Sequence, residues 1–237
     1  MGYTYVVSDI HGDYDKYMKI FDEVNFGGDD VLYLLGDIVD RGNASCRIML
    51  DAMMRYNVYP IYGNHDLAAL HCLKFLNQEI TDRSIEEVLT PENMLALQDW
   101  LTQGGQSTFD EFTKLTAEEK EMVLEYLGEE FEDYTEIEIN SKEYVLVHAG
   151  IENFDINKPL NEYAKGAFMF EPIDYNRVYF KDKVIVTGHT PTNLIENNPK
   201  PFDIYQGNNH IAIDCGCCYG KHLGVIRLDD LKEFYID

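Results

Sequence analysis

"YLLGDIVDRGNAS", running from Tyr33 to Ser45, decides how the chain is read. The apolar run that ends at Leu35 has the length and composition of a buried strand. It stops at Gly36, and the next six residues supply Asp37, Asp40 and Arg41 before closing at Gly42. A tight turn behind a buried strand thus carries two carboxylates and a guanidinium to one place. Ligands of α/β folds collect where loops leave the carboxyl ends of strands, so this stretch predicts a functional strand end.

Four further runs repeat the pattern. "YTYVV" (3–7) leads into "SDIHG", "NVYPIY" (57–62) into "GNHD", "EYVLV" (143–147) into "HAG", and "KVIVT" (183–187) into "GHTPT". Each run is rich in β-branched or aromatic residues, and each ends in a glycine-containing turn carrying His, Asp or Asn. Helical spacing appears between the runs: Tyr14, Tyr17, Met18, Phe21 and Val24 recur on one face, and "CRIMLDAMMRY" behaves likewise. The stretch from about 67 to 128 reads as helices, with Thr90 and Thr116 as N-caps. It is taken as an insertion within a single α/β domain spanning 1–237. The tail from Asn208 onward reads as a closing β-meander with turns at 216–220 and at Asp229–Asp230.

Charge narrows the partners. Nineteen Lys and Arg face 43 Asp and Glu, a net charge of −24. Such a field repels nucleic acid and anionic membranes, so neither is expected as a partner. The N-terminus lacks the charged and apolar regions of a signal peptide, and no apolar run reaches membrane-spanning length. Five cysteines, three of them crowded into "DCGCCYG", read as reduced core or turn residues, and a cytoplasmic location is expected.

The strand ends supply Asp9, His11, Asp37, Asn64, His148 and His189, a mixture of imidazole, carboxylate and amide oxygen without thiolate. That mixture suits Mn, Fe or Zn better than an all-oxygen calcium or magnesium cage. Asp37 has two oxygens with which to bridge two cations. Two cations so bridged lower the pKa of bound water and clamp a phosphoryl group. Arg41 then offers a planar fork for phosphate, His65 a proton for a leaving oxygen, and Asp40 a carboxylate to hold the His65 tautomer.

The ordered series "DIHG", "GDIVDRG", "GNHD", "HAG" and "GHTPT" resembles the phosphoprotein phosphatase family of calcineurin-like metallophosphoesterases. The small bacterial serine/threonine phosphatases are the nearest likeness, and the symmetrical dinucleoside tetraphosphate hydrolases are similar too. "DWLTQGGQST" looks like the Trp…Gly-Gly stretch of those bacterial enzymes. The resemblance implies a central β-sandwich of two mixed sheets flanked by helices. It implies one metal on Asp9, His11 and Asp37, and a second on Asp37, Asn64, His148 and His189. It also implies His65 as general acid paired with Asp40, and Arg41 and Asn64 beside the phosphate. One departure stands out: the family's second phosphate-binding arginine aligns near Glu171–Pro172, leaving Arg177 as the available candidate between His148 and His189.

Three functions follow. The first is removal of phosphate from phosphoserine or phosphothreonine proteins by direct attack of metal-bound hydroxide, with a phosphoprotein or phosphopeptide as partner and two metal ions, Mn foremost. No cysteine has an arginine six residues on, which argues against a cysteine-based phosphatase. The alternative is hydrolysis of symmetrical dinucleoside tetraphosphates or other small phosphate esters. A third is a catalytically weak regulator that docks phosphoproteins.

Overall fold

Alternation along Thr4–Val7 sets the layers of the fold. In this strand, β1, Tyr5 and Val7 point into a cluster built with helices, whereas Val6 points the other way into a core shared by two sheets. The computed structural model describes residues 2–78, 90–196 and 198–237. Among these, β1 is followed by α1 (Tyr14–Glu23), β2 (Val31–Leu35), α2 (Ser45–Ala52), β3 (Val58–Ile61) and α3 (Asn64–Leu76). Then come α4 (Pro91–Trp100), a wide π-type turn at Leu101–Gly105, α5 (Gln106–Phe112) and α6 (Ala117–Glu125). The remainder is β4 (Thr135–Ile139), β5 (Lys142–Leu146), β6 (Lys183–Thr187), β7 (Tyr205–Gly207), β8 (His210–Ala212), β9 (Leu223–Arg227) and β10 (Lys232–Ile236).

The strands form two mixed five-stranded sheets, ordered β10-β9-β1-β2-β3 and β4-β5-β6-β8-β7. Three strands of each run parallel: β1, β2 and β3 in the first sheet, with β3 at its edge, and β5, β6 and β8 in the second. Val6, Leu35, Ile61, Leu146, Val186 and Ile226 fill the space between the sheets. Each such fully buried side chain contributes about 1.5–3 kcal/mol. The outer face of the first sheet is covered by helices. That of the second is covered by irregular chain, with Ile151, Leu160, Phe168 and Tyr179 packing on Val145, Val147 and Ile185.

Local signals explain the helix starts. Asp13 caps α1 by accepting from Lys16 N, and Thr90 caps α4 ahead of Pro91. Thr116 and Glu119 form a reciprocal capping box at α6. Both threonine caps are those expected from the sequence. The helical reading of 67–128 partly falls on residues 79–89, which lie outside the described residues.

The closing β-meander is not what forms. β8 joins the second sheet beside β6 and β7, whereas β9 and β10 make a hairpin on the first sheet against β1. The "DCGCCYG" turn carries the chain from one sheet to the other, with Gly216 and Gly220 both in left-handed backbone. Alternation within a strand says which face is buried, not which sheet it joins. No helix among the described residues is long and apolar enough to cross a membrane.

Candidate metal centre

The turns behind β1, β2, β3, β5 and β6 meet around Asp37. Its Oδ2 lies 3.6 Å from His11 Nε2 and 4.0 Å from His65 Nε2, and its Oδ1 lies 3.4 Å from His148 Nε2. Two triads with ligand atoms within 4.8 Å of one another share this carboxylate: His11–Asp37–His65 and Asp37–His148–His189. The ring of His148 also meets Asn64 Oδ1 and His189 Nδ1, each at 3.2 Å. Asp9 is buried but stands outside both triads, its Oδ2 accepting the backbone N–H of His189 at 2.9 Å.

The backbone here is forced into an uncommon shape. Asp9, His11, Asp37, Asp40, Arg41 and His189 all have φ between +48° and +73°. Left-handed backbone is rare for residues with a side chain and strained, and it persists only when surroundings impose it. Asp66 is one source of that imposition. Its fully buried carboxylate accepts N–H bonds from Asp37 at 2.7 Å, Gly63 at 2.9 Å, Ile38 at 3.0 Å and Val39 at 3.3 Å. Gly63 matters for another reason: a Cβ there would stand 2.2 Å from Asp37 Oδ1. Only a glycine lets β3 leave the sheet this close to the shared carboxylate.

Asp40, Arg41 and His65 form a second group. His65 Nδ1 donates to Asp40 Oδ2 at 2.7 Å, leaving Nε2 turned to the centre. Trp100 Nε1 donates to the same oxygen at 2.9 Å, and Thr108 Oγ1 donates to the other at 2.7 Å. Arg41 Nη1 lies 2.8 Å from His11 Nε2, and its other terminal nitrogen 3.0 Å from His65 Nε2. Its backbone N–H bonds the carbonyl of Gly104, whose φ of +115° suits glycine alone. Trp100, Gly104 and Thr108 all belong to the helical stretch between β3 and β4, which thereby holds Asp40 and Arg41 in place.

The family model for calcineurin-like phosphoesterases matches residues 3–219. The chain belongs to that family. The symmetrical bis(5'-nucleosyl)-tetraphosphatase of Glaesserella parasuis is 26% identical over 279 residues, covering 98% of this chain and 96% of the relative. A solved structure described as a putative diadenosine tetraphosphatase superposes with a TM-score of 0.66 at 19% identity, covering 99% of this chain and 93% of that one. A protein serine/threonine phosphatase from Saccharomyces cerevisiae has a TM-score of 0.58 at 15% identity, covering 99% and 79%. These two structural likenesses concern the fold, the α/β sandwich with flanking helices described above.

Calcineurin-like phosphoesterases use a dinuclear metal site, and the residues here fit one. His148 Nδ1 donates to Leu35 O at 2.8 Å, which turns its Nε2 to the centre. Asn64 Oδ1 and Asp37 Oδ1 converge within 3.4 Å of that Nε2, completing a set of imidazole, amide and carboxylate atoms of the kind that binds a cation. His11 likewise donates Nδ1 to Val39 O at 2.9 Å. Burial foremost pushes His11 down to about 3 and His189 down to about 4, so both are neutral at pH 7, as metal ligands must be. Asp9 moves the other way. Burial, then the charges of Asp214 and Asp37, raise its carboxyl well above the usual range, a repulsion that cations relieve.

Not every candidate reaches the centre. The exposed Arg177 sits on the loop before β6 with its guanidinium 5.1 Å from the Phe154 ring centroid and 4.9 Å from that of Tyr179. The structure places this arginine candidate on an aromatic shelf made by Phe154 and Tyr179. His210 is buried in the second sheet against Tyr175 and Thr187, while His71 edges Phe75 and His222 pairs with Asp237 on the surface. All five cysteines are free. Sequence reasoning gave no role to Asp66, Thr108 and Asp214. The "GNHD" motif contains the first of these, but nothing in it says that Asp66 turns back to clasp the β2 turn.

Proposed function

We propose that this phosphoesterase hydrolyses dinucleoside tetraphosphates between the two central phosphates, releasing two nucleoside diphosphates. The observation that carries this is an open cleft of about 700 Å³ lined by His11 and Arg41, which leaves room beside the reacting phosphate for more than a single phosphate group. The near full-length relative named for symmetrical dinucleoside tetraphosphates supports the same reading. It favours the alternative of the sequence analysis over phosphoprotein hydrolysis, which remains the second reading.

In this reading Asp9, His11 and Asp37 would hold one cation and Asp37, Asn64, His148 and His189 the other, with Mn the first choice and Fe or Zn compatible with the donors. Bound there, such cations would acidify water and offset the charge of phosphate oxygens. Arg41 turns its fork from the two imidazoles to the non-bridging oxygens of the reacting phosphate. Asp40 keeps the Nδ1 proton of His65, so that Nε2 delivers the mobile proton to the leaving oxygen.

The leaving group separates the two readings. A nucleoside diphosphate leaves as a phosphate oxyanion whose own second pKa is near 6, so it needs little help from an acid. A serine or threonine alkoxide is far more basic and leaves only when protonated. The experiment compares Mn²⁺-loaded protein and its His65→Ala variant on diadenosine tetraphosphate, a phosphothreonine peptide and a phosphotyrosine peptide. Preference for the dinucleotide, with ADP as the sole nucleotide product, supports the proposal. Preference for the phosphothreonine peptide, with a His65→Ala loss of about 10²–10⁴, replaces it by the second reading.

A further inference from the structure

The cleft beside the centre contains a cation that the metal and proton chemistry leaves unused. Arg47 lines it together with His11, Arg41 and Tyr14. Its guanidinium lies over the Tyr14 ring, 3.8 Å from the centroid. Among the described residues no carboxylate pairs with that guanidinium, although acidic residues outnumber basic ones more than two to one. Glu111, which reaches this end of α2, is taken by the backbone N–H groups of Cys46 and Arg47 at 2.8 and 3.0 Å. Asp13 at the rim is occupied in capping α1.

Two features make Arg47 more than a solvated charge. Glu111 anchors its backbone, and although the side chain is exposed its planar head stacks on the Tyr14 face, which favours the rotamer that lines the cleft. It also shares the cleft with Arg41, the fork that faces His11 and His65. A phosphate chain that begins at Arg41 and runs along the cleft would therefore have a second fork available to it.

We infer that Arg47, stacked on Tyr14, is a specificity-determining residue that binds the phosphate chain beyond the reacting phosphate and so selects nucleoside polyphosphates over phosphomonoesters. This rests on the substrate reading above and assigns a residue to it. The test measures KM and kcat of Mn²⁺-loaded wild type, Arg47→Ala and Arg47→Lys on diadenosine tetraphosphate and on p-nitrophenyl phosphate. Loss of a charge-assisted bond predicts that Arg47→Ala raises KM for the dinucleotide about tenfold or more, with a smaller change in kcat. The ratio of kcat/KM for the dinucleotide over that for the monoester falls by a similar factor. Arg47→Lys recovers part of the ratio, as a point charge without the fork. An unchanged ratio overturns the inference, and so does a parallel fall on both substrates, which marks a structural role. A wild type that cleaves the monoester and ignores the dinucleotide overturns the substrate reading itself, and the inference with it.

Discussion

Behind β1, β2 and β3 the chain places seven side chains at the centre, from Asp9 to His65, and five of them stand on left-handed backbone. Behind β5 and β6 of the other sheet it places two histidines, of which only His189 is left-handed. The first sheet is backed by helices that start within or just after these turns, and Asp66 on α3 binds the β2 turn through four N–H groups. The second sheet is backed by irregular chain, and its histidines are oriented by the first: His148 by Leu35 O, and His189 by the Asp9 carboxylate on its N–H. One half of the site is therefore built, and the other is docked onto it. Strained turns need an over-determining neighbourhood, and helices with buried polar clasps provide one more firmly than loops do.

Variants can break this contrast, and the largest effect belongs to the residue common to both halves. Asp37→Asn removes the shared charge, so metal analysis of the purified protein should find both positions emptied and turnover at background. Retention of one ion would mean that the docked half holds metal independently.

Asp66→Ala strikes the built half alone. It leaves four backbone N–H groups without their buried acceptor, and a buried donor left unsatisfied costs about 1–3 kcal/mol. Urea unfolding at pH 7 measures that cost. Activity falls as well, because Asp37 rides on the released turn.

Asp40→Asn is milder and concerns pH. Burial alone would lower the His65 pKa, but the Asp40 bond and the charges of Asp37 and Asp40 outweigh it and raise it above the ordinary value. His65 acts as an acid only while protonated, so kcat on a poor leaving group falls as pH rises through that raised value. Removing the Asp40 charge moves this alkaline limb to lower pH and costs about 10–100-fold at pH 8. A limb that stays in place in the pH–rate profile would assign the proton to another group.

The smallest effect lies in the second sheet. Burial pushes His210 down to about 3, against about 6.5 in the unfolded chain. Stability owed to the neutral ring is complete above pH ~6.5 and is lost as pH falls from there toward 3, because the unfolded state binds the proton first. His210→Gln should flatten that slope between pH 7 and 5 in urea midpoints while leaving metal content intact. If it cost as much at pH 7 as Asp66→Ala, the contrast between the halves would fail.

The five site-bearing strands and their turns were legible in the sequence because each is contiguous. A buried run of about five residues, a turn, and ligand-type side chains two or three positions apart are all local patterns. The positions of Thr108, Arg177 and β8 were not. Thr108 meets Asp40 across 68 residues of sequence, and nothing local distinguishes it from an ordinary helical threonine. Arg177 lies between the right motifs, yet its resting place over the rings of Phe154 and Tyr179, about 5 Å away, follows from packing and not from its position in sequence. The preferred substrate proposal also differs from the first reading of the sequence, because the turns name a phosphoesterase without naming its substrate, and a near full-length relative is named for dinucleoside tetraphosphates.

The sequence by itself determined the donors: which carboxylates, imidazoles and amide stand at strand ends, and that they suit cations and phosphate. Those follow from residue chemistry and spacing of a few positions. Only the tertiary structure decided how they are held and what they face. Asp37 is shared because turns 28 to 113 residues apart bond to one another, His189 is aimed by a carboxylate 180 residues away, and Arg47 lines the same cleft as Arg41 because α2 starts there. Such contacts depend on how two sheets stack and where a helix begins, and packing of that kind leaves no periodic trace along the chain.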